Sequence, residues 1–212
     1  MKAVLFDLDG TLTNTLEDIA DAMNRALRHF DLPVWSVDDY RYLVGNGARI
    51  LAQRAVRDRQ DLAEEVLSLY QERYGAHSQD RTRPYEGIPE LLAALNRAGL
   101  PVCVLSNKPH ADTEKVIAHY FPEINFAVVL GQTDRFPIKP DPAPARWIAE
   151  YLGLLPQDFA YLGDTAVDMD CATAAGMQAF GVLWGFRTAQ ELKEHGARYL
   201  LANPADLLTY LS

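Results

Sequence analysis

Residues 2–15, KAVLFDLDGTLTNT, decide the fold. Ala3-Val4-Leu5-Phe6 is an unbroken apolar run, short enough and apolar enough to be a strand buried on both faces of a parallel sheet. It stops at Asp7-Leu8-Asp9-Gly10-Thr11. In extended backbone, residues i and i+2 point to the same side. Asp7 and Asp9 can therefore converge just beyond the carboxyl end of the strand, which is where open α/β sheets bind ligands. Gly10 lets the backbone turn sharply there. Two clustered carboxylates repel unless something compensates, and a divalent cation with oxygen ligands, such as Mg2+, is the candidate. Taken alone, D-x-D-G also fits a solvated turn.

Working outward, Leu16, Ile19, Ala20, Met23, Leu27 and Phe30 recur at helical spacing, and Pro33 ends that helix. Thr15-Leu16-Glu17-Asp18 reads as its capping box, with Asp in the third position, and Ser36-Val37-Asp38-Asp39 as a second cap. Further helices are expected through Tyr40 and Leu43, over residues 48–58 and over residues 62–74. No strand pattern interrupts this block. Residues 76–87, AHSQDRTRPYEG, are polar and proline-bearing and read as a linker.

Beyond the linker the pattern changes to strands alternating with helices. Strands are expected at residues 101–105, 126–130, 159–162 and 179–183. Helices are expected at 88–98, 110–121, 142–152, 168–175, 189–195 and 204–211, the last capped by Asn203 with Pro204 in its first turn. Such alternation implies a parallel sheet with right-handed crossovers. The expected fold class is α/β: a doubly wound parallel-sheet core with an inserted all-helical domain. Residues 1–15 and 80–212 form the core, and residues 16–79 the insert.

Composition narrows the function. The chain has 212 residues, of which 49% are hydrophobic, enough for a sizeable core, and a formal net charge of −9. That acidity disfavours nucleic acid and anionic membranes as partners. Any site for an anionic substrate must then be locally positive, through a metal, a lysine or backbone amides. Cys103 and Cys171 have no metal-like spacing and read as buried thiols in a reducing compartment. The four apolar residues before Asp7 are too few for a signal peptide, and no stretch approaches the roughly 18 apolar residues that span a bilayer. The expectation is a soluble, cytoplasmic protein, monomeric or homodimeric. His29, His77, His110, His119 and His195 form no ligand spacing, and Tyr70 and Tyr74 read as packing residues.

Three strands end in groups suited to phosphoryl transfer: Asp7 and Asp9, Ser106, and Asp164. Lys139 follows in Ile138-Lys139-Pro140-Asp141-Pro142. Individually each fits a cap, a turn or a solvated charge. Together, F-D-L-D-G-T-L, L-S-N, K-P-D-P and G-D-T-A-V-D resemble the four motifs of the haloacid dehalogenase superfamily, in order and over the whole core. Because Asp9 is present, the sequence resembles the phosphatases and phosphomutases of that superfamily and not its dehalogenases, which lack this second acid. Many relatives carry Asp-Ser where this chain has Asn14-Thr15, at the junction with the insert.

The resemblance assigns the roles. Asp7 is the nucleophile that forms an aspartyl phosphate, and Asp9 is the acid that protonates the leaving group and later activates water. Mg2+ is held by Asp7, the backbone carbonyl of Asp9 and Asp164. A bound metal favours ionised Asp7, while crowding raises another acid's pKa. Ser106 and Lys139 hold phosphoryl oxygens, and Asn107 either joins them or fixes its loop. Asp168 orients Lys139 or a metal-bound water.

The insert is implied to be a cap that closes over the site. Its expected substrate-facing stretch is Val44-Gly45-Asn46-Gly47-Ala48-Arg49, with Asn46, Gly47 and Arg49 as substrate contacts; an interhelical connector is the alternative. That wording, Lys108 after Ser106-Asn107, and Trp184-Gly185-Phe186-Arg187 resemble the phosphoglycolate phosphatase branch. The last of these reads chiefly as a loop closure. The expected activity is Mg2+-dependent hydrolysis of a small anionic phosphate ester, most specifically 2-phosphoglycolate. A phosphomutase or pyrophosphatase is the alternative within the superfamily, and a non-catalytic phosphate-ligand sensor the alternative outside it.

Overall fold

The computed structural model describes residues 1–211. Strand β1 (Ala3–Phe6) is completely buried and lies mid-sheet, paired in parallel with β4 (Val102–Pro109) on one side and β6 (Phe159–Gly163) on the other. Val4 stands opposite both Val102 and Ala160. With β5 (Val128–Gln132), β7 (Gln178–Val182) and β8 (Tyr199–Leu201), the six-stranded order is β5-β4-β1-β6-β7-β8, all parallel. The chain moves to one side of β1 for β4 and β5, then to the other for β6 to β8. The crevice created by that reversal opens at the carboxyl ends of β1, β4 and β6.

The period-two alternation of β1 divides the core. Val4 and Phe6 pack with Ile88, Leu91, Leu92 and Leu95 of helix α5 (Ile88–Arg97) on one face. Ala3 and Leu5 pack on the other with Cys103, Ile148, Met169 and Cys171, from β4, α7 (Ala143–Tyr151) and α8 (Ala166–Ala175). Both cysteines are buried free thiols.

Between β1 and β4 lies a helical insert: α1 (Leu16–His29), α2 (Tyr40–Leu43), α3 (Gly47–Ala55) and α4 (Ala63–His77). It has its own core, built on Ile19, Met23, Leu27, Tyr40, Leu51, Val66 and Tyr70, which recruits Phe186 from beyond β7. The two crossings into and out of the insert are tied together as short antiparallel strands, β2 (Thr13–Asn14) and β3 (Arg83–Pro84). The stretch expected to be a plain linker therefore contains a strand.

Other local expectations change for physical reasons. Thr15 does not cap α1: its hydroxyl is buried without a partner, and its backbone (φ −105°, ψ 2°) is not in the extended conformation of a cap. Asp18, expected in that capping box, instead accepts the Arg81 N–H at 3.0 Å, the Thr82 N–H at 2.8 Å and the Thr82 hydroxyl at 2.7 Å, pinning the returning chain to α1. Helix α1 stops at His29, four residues before Pro33, where Asp31 adopts a left-handed φ of 54°. Helix α8 starts two residues earlier than expected, at Ala166, because Thr165 and Asp168 form its N-terminal cap. Strand β8 lies outside the expected strands, since Tyr199-Leu200-Leu201 is too short to show a period. The C-terminal stretch Pro204–Tyr210 is a 3-10 helix.

Candidate active site

Asp7 leaves β1 into the crevice, where its Oδ1 accepts the Lys139 ammonium at 2.6 Å. Lys139 Nζ also donates to Asp168 Oδ1 at 2.7 Å and to the Leu105 carbonyl at 2.9 Å, so its three protons have three buried partners. Asp168 Oδ2 accepts the Thr165 N–H at 3.1 Å and hydroxyl at 2.6 Å. One carboxylate thus caps α8 and anchors the lysine. Asp164, at the end of β6, is buried; its Oδ1 accepts from Thr11 Oγ1 at 3.2 Å and its Oδ2 from the Phe186 N–H at 2.8 Å. Gly10, at φ +94°, and Gly185 both lie against Asp164 so closely that a Cβ on either would collide with its carboxylate.

Oxygens of Asp7, Asp164 and Asp168 lie within 4.8 Å of one another, all three residues buried. Burial, then the charge of Asp168, pushes Asp7 up to about 7 against the pull of Lys139. Asp164 is raised well above the usual carboxylate range by burial, then by Asp7 and Asp168. Burial alone would lower Lys139, but Asp168 and Asp7 outweigh it and hold the ammonium charged. With Asp9, four carboxylates here meet two lysines, Lys139 and Lys108. The local deficit is two positive charges on hard oxygen donors, and a divalent cation fits it. Asp7 and Asp164 would hold it. Asp164 accepts only from neutral donors, whereas Asp168 already holds the Lys139 ammonium on one oxygen and the cap of α8 on the other, which suits a supporting role.

Asp9 turns its side chain elsewhere. Lys108 Nζ lies 3.0 and 2.9 Å from its two oxygens and 2.8 Å from the Tyr74 hydroxyl, 4.6 Å above the Tyr74 ring centre. β4 makes this possible. Its register with β5 shifts between Leu105 and Pro109, and the irregular end brings Ser106, Asn107 and Lys108 to the same cleft. Ser106 Oγ accepts the Lys108 N–H at 3.2 Å, which leaves its hydroxyl proton to donate. Asn107, expected either to join the phosphate contacts or to fix its loop, lines the cleft and makes the loop contacts: Oδ1 accepts the Lys139 N–H at 2.8 Å, and Nδ2 donates to the carbonyls of Lys139 and Gly45, both at 3.0 Å.

A cleft of about 660 Å³, counted to its open mouth, lies between sheet and insert. Asp7, Asp9, Ser106 and Lys108 line its floor, and Ile19, Val44, Gly47, Leu51, Tyr70 and Tyr74 its roof. Of the expected insert contacts, Gly47 faces the cleft. Asn46 accepts from Arg54 at 2.9 Å, and Arg49 pairs with Glu64 on an exposed face, so neither side chain is brought to the site. Tyr70 and Tyr74, read as packing, both pack and line the cleft. The segment 184–187 is more than a loop closure. Phe186 enters the insert core, Arg187 donates to the Val44 carbonyl at 3.1 Å, and Arg41 of the insert donates to the Gly185 carbonyl at 3.2 Å. Its glycine between two aromatics was the available signal.

A family profile described as haloacid dehalogenase-like hydrolase matches residues 4–182. A phosphoglycolate phosphatase of Haemophilus influenzae is 32% identical over 219 residues, covering 99% of this chain and 98% of that one. Phosphoglycolate phosphatase 1 of Pseudomonas aeruginosa is 30% identical over 218 residues, covering 98% of this chain and 78% of that one. Among solved structures, a predicted phosphoglycolate phosphatase of Haemophilus somnus superposes with a TM-score of 0.93 at 29% identity, over 100% of this chain and 98% of that one. The sheet order, the carboxylates at its strand ends and these likenesses lead to one conclusion: the chain belongs to the haloacid dehalogenase-like hydrolases.

Proposed function

We propose that the protein is a Mg2+-dependent phosphatase of small anionic phosphate monoesters, with 2-phosphoglycolate the favoured substrate. The observation that carries the reading is the buried Asp7–Lys139–Asp168 chain beside Asp164, set in the crevice at the carboxyl end of the sheet. The relatives' names support phosphate ester hydrolysis, and most directly the phosphoglycolate ester.

When bound, the cation offsets repulsion between the carboxylates and the phosphoryl oxygens and keeps Asp7 ionised. Asp7 attacks phosphorus; a bond forms from its carboxylate oxygen and the P–O bond to the leaving alkoxide breaks. Asp9 supplies the proton to that oxygen, then takes one from the water that splits the aspartyl phosphate. Lys139, locked by Asp168 and the Leu105 carbonyl, stabilises Asp7 and the charge that builds on the phosphoryl oxygens. Ser106 donates its hydroxyl to the same group. Residues 16–79 act as a cap over a core of residues 1–15 and 80–212, and their apolar roof limits water in the cleft.

The test is phosphate release from a panel of small phosphate esters and pyrophosphate, with Mg2+ and with a chelator. Chelator-sensitive release that favours 2-phosphoglycolate is expected. Conversion to an isomeric ester without free phosphate would mark a mutase. Binding without turnover would mark a sensor.

A further inference from the structure

Two lysines serve this site, and they stand at different carboxylates. Lys139 belongs to Asp7, the phosphoryl side. Lys108 belongs to Asp9, the leaving-group side. Among the described residues lining the cleft, Lys108 is the only lysine or arginine. No lysine or arginine of the insert is among the described residues that line the cleft. Arg49 faces Glu64, while Arg41 and Arg54 are taken up by the carbonyls of Gly185 and Leu43. From the core, Arg187 donates to the Val44 carbonyl and Glu191 and does not line the cleft, although its Nη1 is buried without a partner.

We propose that Lys108 is the specificity-determining residue of this enzyme, the group that receives a second anion carried by the substrate's leaving group; this rests on the phosphatase reading of the site. Asp9 acts on the leaving oxygen, and the Lys108 ammonium lies 2.9 Å beyond an Asp9 oxygen. A carboxylate one carbon from the leaving oxygen falls beside that ammonium. It competes with Asp9 for the same protons. Tyr74 keeps the ammonium in place during the exchange, through its hydroxyl at 2.8 Å and its ring face at 4.6 Å. The roof residues Ile19, Val44, Ala48 and Leu51 are apolar and Tyr70 and Gln71 are uncharged, so among the described residues lining the cleft Lys108 is the one cationic partner for a carboxylate. Because Tyr74 comes from α4 of the insert and Lys108 from β4 of the core, the subsite is complete only where the two meet.

The experiment compares 2-phosphoglycolate with 2-hydroxyethyl phosphate, which lacks the carboxylate, on the wild-type protein, Lys108→Gln, Lys108→Arg and Tyr74→Phe. In Lys108→Gln the ratio of kcat/KM for the two esters is expected to fall about 10- to 100-fold, as for loss of one hydrogen bond to a charged group. Lys108→Arg should restore part of that ratio, and Tyr74→Phe should lower it less. Equal loss on both esters would overturn the proposal and place Lys108 in support of Asp9 alone. Circular dichroism checks folding; if Lys108→Gln is unfolded, an unchanged ratio in Tyr74→Phe is the overturning result. Binding of two inert ligands, 3-phosphonopropionate and propylphosphonate, separates this proposal from the reading beneath it. A wild-type preference for 3-phosphonopropionate that vanishes in Lys108→Gln supports Lys108 even where neither ester is hydrolysed. A wild-type protein that hydrolyses esters but prefers neither ligand overturns the Lys108 proposal and leaves the phosphatase standing.

Discussion

Replacing Asp168 by Asn removes one charge and almost no volume, and its effect can be followed bond by bond. The carboxylate is buried and accepts three hydrogen bonds: Lys139 Nζ at 2.7 Å on Oδ1, and the Thr165 N–H at 3.1 Å and hydroxyl at 2.6 Å on Oδ2. An amide has one oxygen. If that oxygen serves Lys139, the NH2 group faces the Thr165 N–H donor to donor, and the cap of α8 is lost, costing about 1 kcal/mol. If it serves Thr165, the NH2 group faces the Lys139 ammonium. Breaking a buried ion pair from one side costs about 3–5 kcal/mol. An opposing effect exists, since the Asp168 charge also raises Asp7 and Asp164, and its removal relieves both. The net expectation is a loss of about 2–3 kcal/mol. Activity should fall about 100-fold, because Lys139 keeps its charge but loses the anchor that aims it. Urea unfolding at pH 7 reads the first quantity, and kcat/KM on the preferred ester the second. A variant within about 0.5 kcal/mol and twofold of wild type would show that Asp168 does not anchor Lys139.

Four further outcomes are expected. Asp7, raised in the folded state, binds a proton more readily there than in the unfolded chain, so its contribution is fully present below the unfolded value of 3.8 and is lost as pH rises through about 7. Unfolding in chelator should therefore show stability increasing from pH 8 towards pH 5, and saturating Mg2+ should flatten that slope; the same slope with and without metal would contradict it. Gly185→Ala places a methyl against the Asp164 side chain and the Gly10 carbonyl, and should weaken Mg2+ activation about tenfold or more while the far-ultraviolet spectrum stays native. Arg49→Ala should stay within about twofold of wild type in kcat/KM, since its partner Glu64 is on the exposed surface. Asp18→Ala strips three donors of Arg81 and Thr82 of their acceptor and should cost about 3 kcal/mol in thermal or urea unfolding.

What the sequence makes legible follows from what is encoded locally. The apolar run before Asp7, and those before Ser106 and Asp164, show three strands ending at one edge, and the alternation with helices shows the sheet to be parallel. The convergence of Asp7, Ser106, Lys139 and Asp164 follows once that topology is accepted. The contacts that stay hidden depend on how the insert docks on the core. Asp18 has a local use as a cap and a distant one at Thr82, and only the fold reveals that the distant one wins. Arg49 sits one turn into a loop-facing helix, and its turn towards Glu64 on α4 depends on how α3 packs against α4. Tyr74 has the spacing of a packing residue and packs, yet its hydroxyl reaches Lys108 across the cleft. Phe186 and Arg187 lie more than 100 residues from the helices they hold. Such pairings leave no periodic trace.

In the proposed mechanism Asp7 carries the phosphoryl group. The most direct measurement is acid quench of the wild-type protein during turnover of 2-phosphoglycolate with Mg2+, followed by peptide mass analysis. A phosphoryl adduct on the peptide that contains Asp7, absent from Asp7→Asn and discharged on the timescale of turnover, is the predicted result. Turnover that continues in Asp7→Asn, or an adduct on a different peptide, would contradict the account.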